Sequence, residues 1–144
     1  MRRGTFANLL CAEMGWPVKL HNRRTLQAQM QSEGGNAVGN PFNCVQPMPG
    51  STDYNHLSGG GGVQNYVSAK QGLEATVKTL RGHGFGYEQV VAAMKANKPA
   101  RETVRLIGAS GWGTASTLLV EVYSWIARVP GVLKSLEDKQ VAGS

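Results

Sequence analysis

The sequence predicts a mainly α domain of the α+β kind, with a glycine-rich central lobe that forms a cleft. Three observations carry this. Apolar residues recur at helical spacing at both ends of the 144-residue chain. Many of its 19 glycines gather between residues 34 and 86. The stretch 34–62 has almost no periodicity and much Gly, Pro, Asn and Ser, and so long an irregular run inside a compact domain usually marks function or an insertion.

The first helix is expected over Phe6 to Met14, burying Phe6, Leu9, Leu10 and Met14, and Gly15 and Pro17 end it. A second runs from Asn22, a good N-cap, to Ser32, with Leu26 and Met30 on one face. A short strand or hairpin fits 43–45 and 63–66. Ser68-Ala-Lys-Gln71 has the form of a capping box, and Leu73, Val77 and Leu80 follow at helical spacing. That helix is the expected centre of the core. Tyr87 to Ala96 forms the next, and Pro99 starts another that runs through Val104 and Ile107 to Gly108. A last helix, apolar on much of its circumference, is expected from Thr114 to about Val129, where Pro130-Gly131 breaks it. The tail should fray after Asp138.

Composition narrows the function classes. Hydrophobic residues make up 41% and charged residues 17%, which suits one globular core. The net charge of +6 favours polyanionic partners: nucleic acid, anionic membrane or acidic wall polymers. The Lys and Arg residues are scattered and no basic run is interleaved with aromatics, so no nucleic-acid partner is expected. Two cysteines, Cys11 and Cys44, make no disulfide framework and read as reduced thiols rather than one bridge. His21, His56 and His83 lack ligand spacing, so no metal and no cofactor is expected. Gly59–Gly62 lacks the Lys-Ser/Thr of a phosphate loop and reads as a linker. Arg2-Arg3 resemble the start of a signal peptide, but Glu13 interrupts the apolar stretch. The run from Leu118 to Leu133 contains Glu121, Arg128 and Pro130 and is short for a bilayer.

Glu33 is the candidate catalytic group. It sits seven residues after Leu26, on the apolar face, at the C-terminal end of its helix. The negative pole of the helix and partial burial both oppose the ionised form, which is the condition of a general acid. The plainer reading is a helix-end carboxylate bonded to loop amides. Asp53 is either a second carboxylate for glycoside cleavage or a turn former in Gly50-Ser-Thr-Asp53. Asn40, Asn43, Asn55, Gln64 and Asn65 supply amides in and beside the lobe, and Tyr54 and Tyr66 supply flat rings with polar tips. Such a set suits a groove for N-acetylated sugars. It would also serve simply to cap loops.

Taken in order, Phe6-Ala-Asn-Leu-Leu10, Gly15-Trp-Pro17, Ser32-Glu-Gly-Gly35, Asn40-Pro-Phe-Asn43, Tyr54-Asn55, Gly62-Val-Gln-Asn-Tyr66, Ala75-Thr76, Thr79-Leu80 and Ser110-Gly-Trp-Gly-Thr114 resemble the lysozyme-like domain of phages of actinobacteria and related hosts. The chain is more distantly similar to glucosaminidases and lytic transglycosylases. The resemblance spans residues 5 to 115. It implies a lysozyme-like catalytic domain over 1–115, with 116–144 a C-terminal helix and tail packed on it or extending from it. It further implies a phage-encoded, bacteriolytic glycosidase that cleaves peptidoglycan between N-acetylmuramic acid and N-acetylglucosamine. Glu33 would be the acid, Asn40 and Asn43 the cleft floor, and Gln64, Asn65 and Tyr66 the wall facing the sugar. The expected site of action is the bacterial cell wall, reached from the host cytoplasm at lysis or from the virion at infection. The C-terminal helix would contact virion proteins or a membrane surface. The alternative is a non-catalytic wall-binding or virion structural module of the same fold. The sequence departs from the family at Phe42 and Cys44-Val45, where Asn-Pro-Leu-Asn-Thr-Thr is more usual, and at Gly111, where Pro is usual.

Overall fold

The structure is a computed structural model that describes residues 1–56, 61–113 and 116–143. Among the described residues it is mainly helical, with seven helices and one two-stranded sheet. The helices are α1 (Arg3–Met14), α2 (Leu20–Glu33), α3 (Ala69–Leu80), α4 (Tyr87–Lys95), α5 (Ala100–Ala109), α6 (Ser116–Arg128) and α7 (Val132–Asp138). The strands β1 (Thr52–Asp53) and β2 (Gln64–Asn65) pair antiparallel, with Thr52 opposite Asn65 and Asp53 opposite Gln64.

The centre of the molecule is α2, not α3 as the apolar pattern suggested. It packs against α1, α5, α6 and α7, whereas α3 packs against α1 and α4. Leu26, Ala28 and Met30 are fully buried, and so are Asn22, Thr25, Gln27 and Gln29. Two of these polar residues, Asn22 and Gln29, bond to neighbouring elements, whereas Thr25 donates to the His21 carbonyl within α2 at 2.9 Å. Asn22 is not the N-cap. It lies inside the helix, which begins after Lys19, and its Nδ2 donates to the carbonyls of Pro17 and Met94, both at 2.8 Å. Gln29 Nε2 donates to the Trp112 carbonyl at 2.6 Å.

The ends of the chain also differ from expectation. Helix α1 starts three residues earlier than predicted, and Leu9 points outward at 41% exposure while Cys11 takes a core position. Beyond Pro130-Gly131 the chain resumes as α7, and the tail after Asp138 docks instead of fraying. Glu137 on α7 forms a two-pronged ion pair with Arg23 of α2, at 2.7 and 3.0 Å. The tail then returns across the N-terminus. Val141 is 1% exposed and its N–H donates to the Met1 carbonyl, while Gly39 N–H donates to the Ala142 carbonyl at 2.9 Å. Burial of Val141 and a ladder-like pairing of Arg2 with Gln140 hold this segment in place.

Ser68 caps α3 as the sequence indicated, accepting a bond from Gln71 N–H at 3.1 Å. At the start of α3 two backbones touch. A side chain on Gly72 would run into the Gly39 carbonyl, and one on Gly39, whose φ is +64°, would lie 2.6 Å from the Ser68 carbonyl. This close approach seats the glycine-rich lobe on α3.

Helix α6 packs on α2 and α5, burying Leu119 and Ile126. No described helix is long and apolar enough to cross a membrane. The expected linker residues Gly59 and Gly60, the motif residue Thr114 and the division near residue 115 lie outside the described residues.

Candidate active site

The α2 C-terminus is where the chain turns sharply. Gly34 and Gly35 both adopt positive φ, at 84° and 65°, a region that L side chains rarely occupy. Two side chains then reach the carbonyls that the helix leaves unpaired. Arg3 Nη2 donates to Gly34 O at 2.9 Å, and Asn43 Nδ2 donates to Glu33 O at 2.6 Å. Arg3 is itself 7% exposed, so a buried guanidinium sits at the negative pole of α2. The sequence reading treated that pole as uncompensated. It is not.

Glu33 is half-buried and lines a cavity of about 200 Å³, together with Phe42, Asn43, Cys44, Val45, Thr79, Tyr87 and residues 111–113. Asn43 Nδ2 also lies 3.1 Å from the carboxylate Oε2. The aromatic wall is continuous beneath. Phe42 packs on Trp112 with ring centroids 4.9 Å apart, and on Phe6 at 6.0 Å. Cys44 forms part of the floor, its Sγ 3.5 Å from the Thr76 hydroxyl. Burial raises the Cys44 thiol above its ordinary value, and the nearby Glu33 charge acts in the same direction. Burial likewise raises the Tyr87 phenol. A larger groove, of about 690 Å³, lies on the outer face of α3. It is lined by Glu13, Lys70, Glu74, Lys78 and Arg81 over Leu73 and Val77, carries both signs of charge, and does not include Glu33.

Of the amides and tyrosines expected at the cleft, only Asn43 lines this cavity. Asn40 is fully buried and spends its whole side chain on the loop. Its Nδ2 donates to the Cys44 and Gln64 carbonyls at 2.9 and 2.8 Å, and its Oδ1 accepts from Cys44 N–H at 2.8 Å. Gln64 is 3% exposed, donating to Asp53 Oδ1 at 2.6 Å and accepting from Ser51 Oγ at 2.8 Å. Tyr66 is 2% exposed, with its hydroxyl donating to the Gln46 carbonyl at 2.7 Å. Burial raises that phenol. The side chains of Asn65 and Asn55 accept from the backbone N–H groups of Val38 and Val63, and Tyr54 is an exposed residue beyond β1. These residues build the lobe; they do not face the acid.

Asp53 lies in β1, tied to Gln64 and 4.0 Å from His56, and does not line the cavity. Glu33 is the one carboxylate among the described lining residues. The undescribed residues, 57–60, 114–115 and 144, contain no Asp or Glu. Among the described residues no three His, Cys, Asp or Glu side chains gather as a metal-binding group. The signal for Tyr87 and Trp112 was present in the sequence as aromatics just after glycine-rich turns, but nothing there aimed them at Glu33. No protein-family model, no curated protein and no solved structure matches the chain.

Proposed function

We propose that the protein is a peptidoglycan-cleaving glycosidase of lysozyme-like fold, with Glu33 as its general acid. The observation that supports this best is the place of half-buried Glu33 in the lining of an aromatic-walled cavity, with the Asn43 amide 3.1 Å from its carboxylate. An amide donor on one carboxylate oxygen fixes the group's orientation at the cavity. In the proposed reaction Glu33 protonates the leaving glycosidic oxygen as positive charge develops on the sugar ring. With Asp53 tied up in the hairpin, the second function falls to a held water or to the substrate's own hydroxyl, which would close to an anhydro sugar. The setting is the bacterial wall, during phage-directed lysis or infection.

A second reading is a wall-binding or virion structural module without catalysis. It is favoured by the internal use of Asn40, Gln64 and Tyr66, which leaves few polar groups converging on the cavity.

Mass analysis of fragments released from purified peptidoglycan tests both. The proposal expects soluble muropeptides with either reducing or anhydro ends, and their loss in Glu33→Gln with the fold retained. Release at the wild-type rate by Glu33→Gln overturns it. Saturable binding without release supports the second reading.

A further inference from the structure

We propose that Phe85 is a carbohydrate-stacking platform at the mouth of the Glu33 cavity, giving the glycan a second binding position beside the acid; this rests on the glycosidase reading above. The cavity holds about 200 Å³, below the ~300–1,000 Å³ usual for small-ligand sites. A glycan strand bound there must therefore continue over the rim. Phe85, 63% exposed, adjoins the lining residues Tyr87 and Gly111.

The ring is held out by backbone geometry. It lies between Gly84 and Gly86, whose φ values are +89° and +77°. Its carbonyl accepts a bond from Gly111 N–H at 2.7 Å. Gly111 lines the cavity and sits close under both rings: a Cβ there would lie 3.0 Å from Phe85 Cβ and 3.3 Å from the Tyr87 hydroxyl. The Phe85 ring packs on Tyr87 with centroids 5.8 Å apart and planes tilted by 44°. Tyr87 is 8% exposed and lines the cavity. Phe42, Trp112 and Tyr87 share the cavity lining, and the Tyr87 ring links it to exposed Phe85.

The surroundings select the occupant. Phe85 is flanked by glycines, and nearby His83 and Glu88 pair at 3.1 Å; Phe42, Trp112 and Tyr87 behind it are buried, and Val45 is the other exposed apolar side chain among the described residues at the cavity. A protein partner would need a broader apolar patch. A pyranose presents one face of C–H groups and a rim of hydroxyls, and that combination fits one flat ring edged by polar groups.

Binding of N-acetylglucosamine oligomers, measured by calorimetry in the Glu33→Gln protein so that nothing is cleaved, tests this. Relative to that parent, adding Phe85→Ala should weaken the hexamer by about tenfold, the scale of one aromatic contact. Disaccharide affinity should stay within about twofold, because a short ligand fills only the cavity. Phe85→Trp should restore hexamer binding. Equal hexamer affinity in the parent and the Phe85→Ala protein overturns the proposal, as does an equal loss for both ligands. If the parent binds no oligomer while the wild type still releases peptidoglycan fragments, the platform falls and the glycosidase reading stands. If neither occurs, both fall.

Discussion

Asn43 turns its amide back onto the residue that ends α2, with Nδ2 2.6 Å from the Glu33 carbonyl and 3.1 Å from its carboxylate. One side chain therefore closes the helix and orients the acid. The backbone of Asn43 is part of the device. Its φ of +53° lies in the left-handed region, which Asn tolerates better than most residues because its short polar side chain can bond locally.

That double role separates by substitution. Asn43→Gly keeps the backbone and removes the amide, so fragment release from peptidoglycan should fall about tenfold to hundredfold, the kinetic scale of one bond to a charged group. Stability should fall only modestly. Asn43→Ala adds backbone strain and should lower the unfolding midpoint further. If the Gly variant keeps full activity, Asn43 acts only on the helix end.

Gly72 and Gly39 meet backbone to backbone where the lobe rests on α3. Gly72→Ala inserts a methyl into the Gly39 carbonyl, and overpacking of this kind costs roughly 1–3 kcal/mol. In an ordinary exposed helix the same change is stabilising by up to about 1 kcal/mol. The sign of the shift in a urea titration therefore reports whether the contact exists in solution. A stabilised Gly72→Ala protein would show that it does not.

The helices whose apolar residues fall on one stripe were legible in the sequence. Ser68 at the cap placed the start of α3 to the residue, and Leu73, Val77 and Leu80 marked its buried face. The same rule misjudged α2. A helix buried on several sides has no solvent face to create contrast, and the polar residues Asn22, Thr25, Gln27 and Gln29 resembled surface. The tail misled for a related reason. Val141 is one apolar residue in a polar segment, and its docking depends on the distant Met1 and Gly39 backbones. Within the site, Glu33 and Asn43 stood out because their placement is local to the helix end and the loop after it. Whether Asn40, Gln64 and Tyr66 turn toward a groove or into the lobe depends on partners up to 24 residues away, such as Gln64 for Asn40.

Asn40 is the prediction that follows from that correction. Its amide makes three bonds inside the lobe, to the Cys44 and Gln64 carbonyls and from Cys44 N–H. Asn40→Ala strands those backbone groups and should cost roughly 2–4 kcal/mol. Asn40→Asp keeps the acceptor but puts two carbonyls against a carboxylate, and should be no better. If instead Asn40 serves by contacting substrate, both variants will unfold at the wild-type urea midpoint while losing activity.

Cys11 and Cys44 are buried free thiols of the core. Burial raises both, Cys11 to about 11 from an ordinary value of 9.0. At pH 8 neither should react with iodoacetamide in the folded protein on the timescale at which the denatured chain is fully labelled, since the attacking species is the exposed thiolate. The same burial gives a stability slope. The unfolded chain ionises Cys11 near pH 9, while the folded chain holds its proton to about 11. This contribution is fully present below pH 9 and is lost as the pH rises from there through the folded value. Urea midpoints should therefore fall between pH 9 and 11, and Cys11→Ala should flatten part of that decline. The raised phenols of Tyr66 and Tyr87 add to the decline from pH 10 upward, so the interval from 9 to 10 isolates the cysteine share. An unchanged slope in Cys11→Ala over that interval would mean that water reaches the thiol in the folded state, and that α1 opens more readily than its packing on α2 implies.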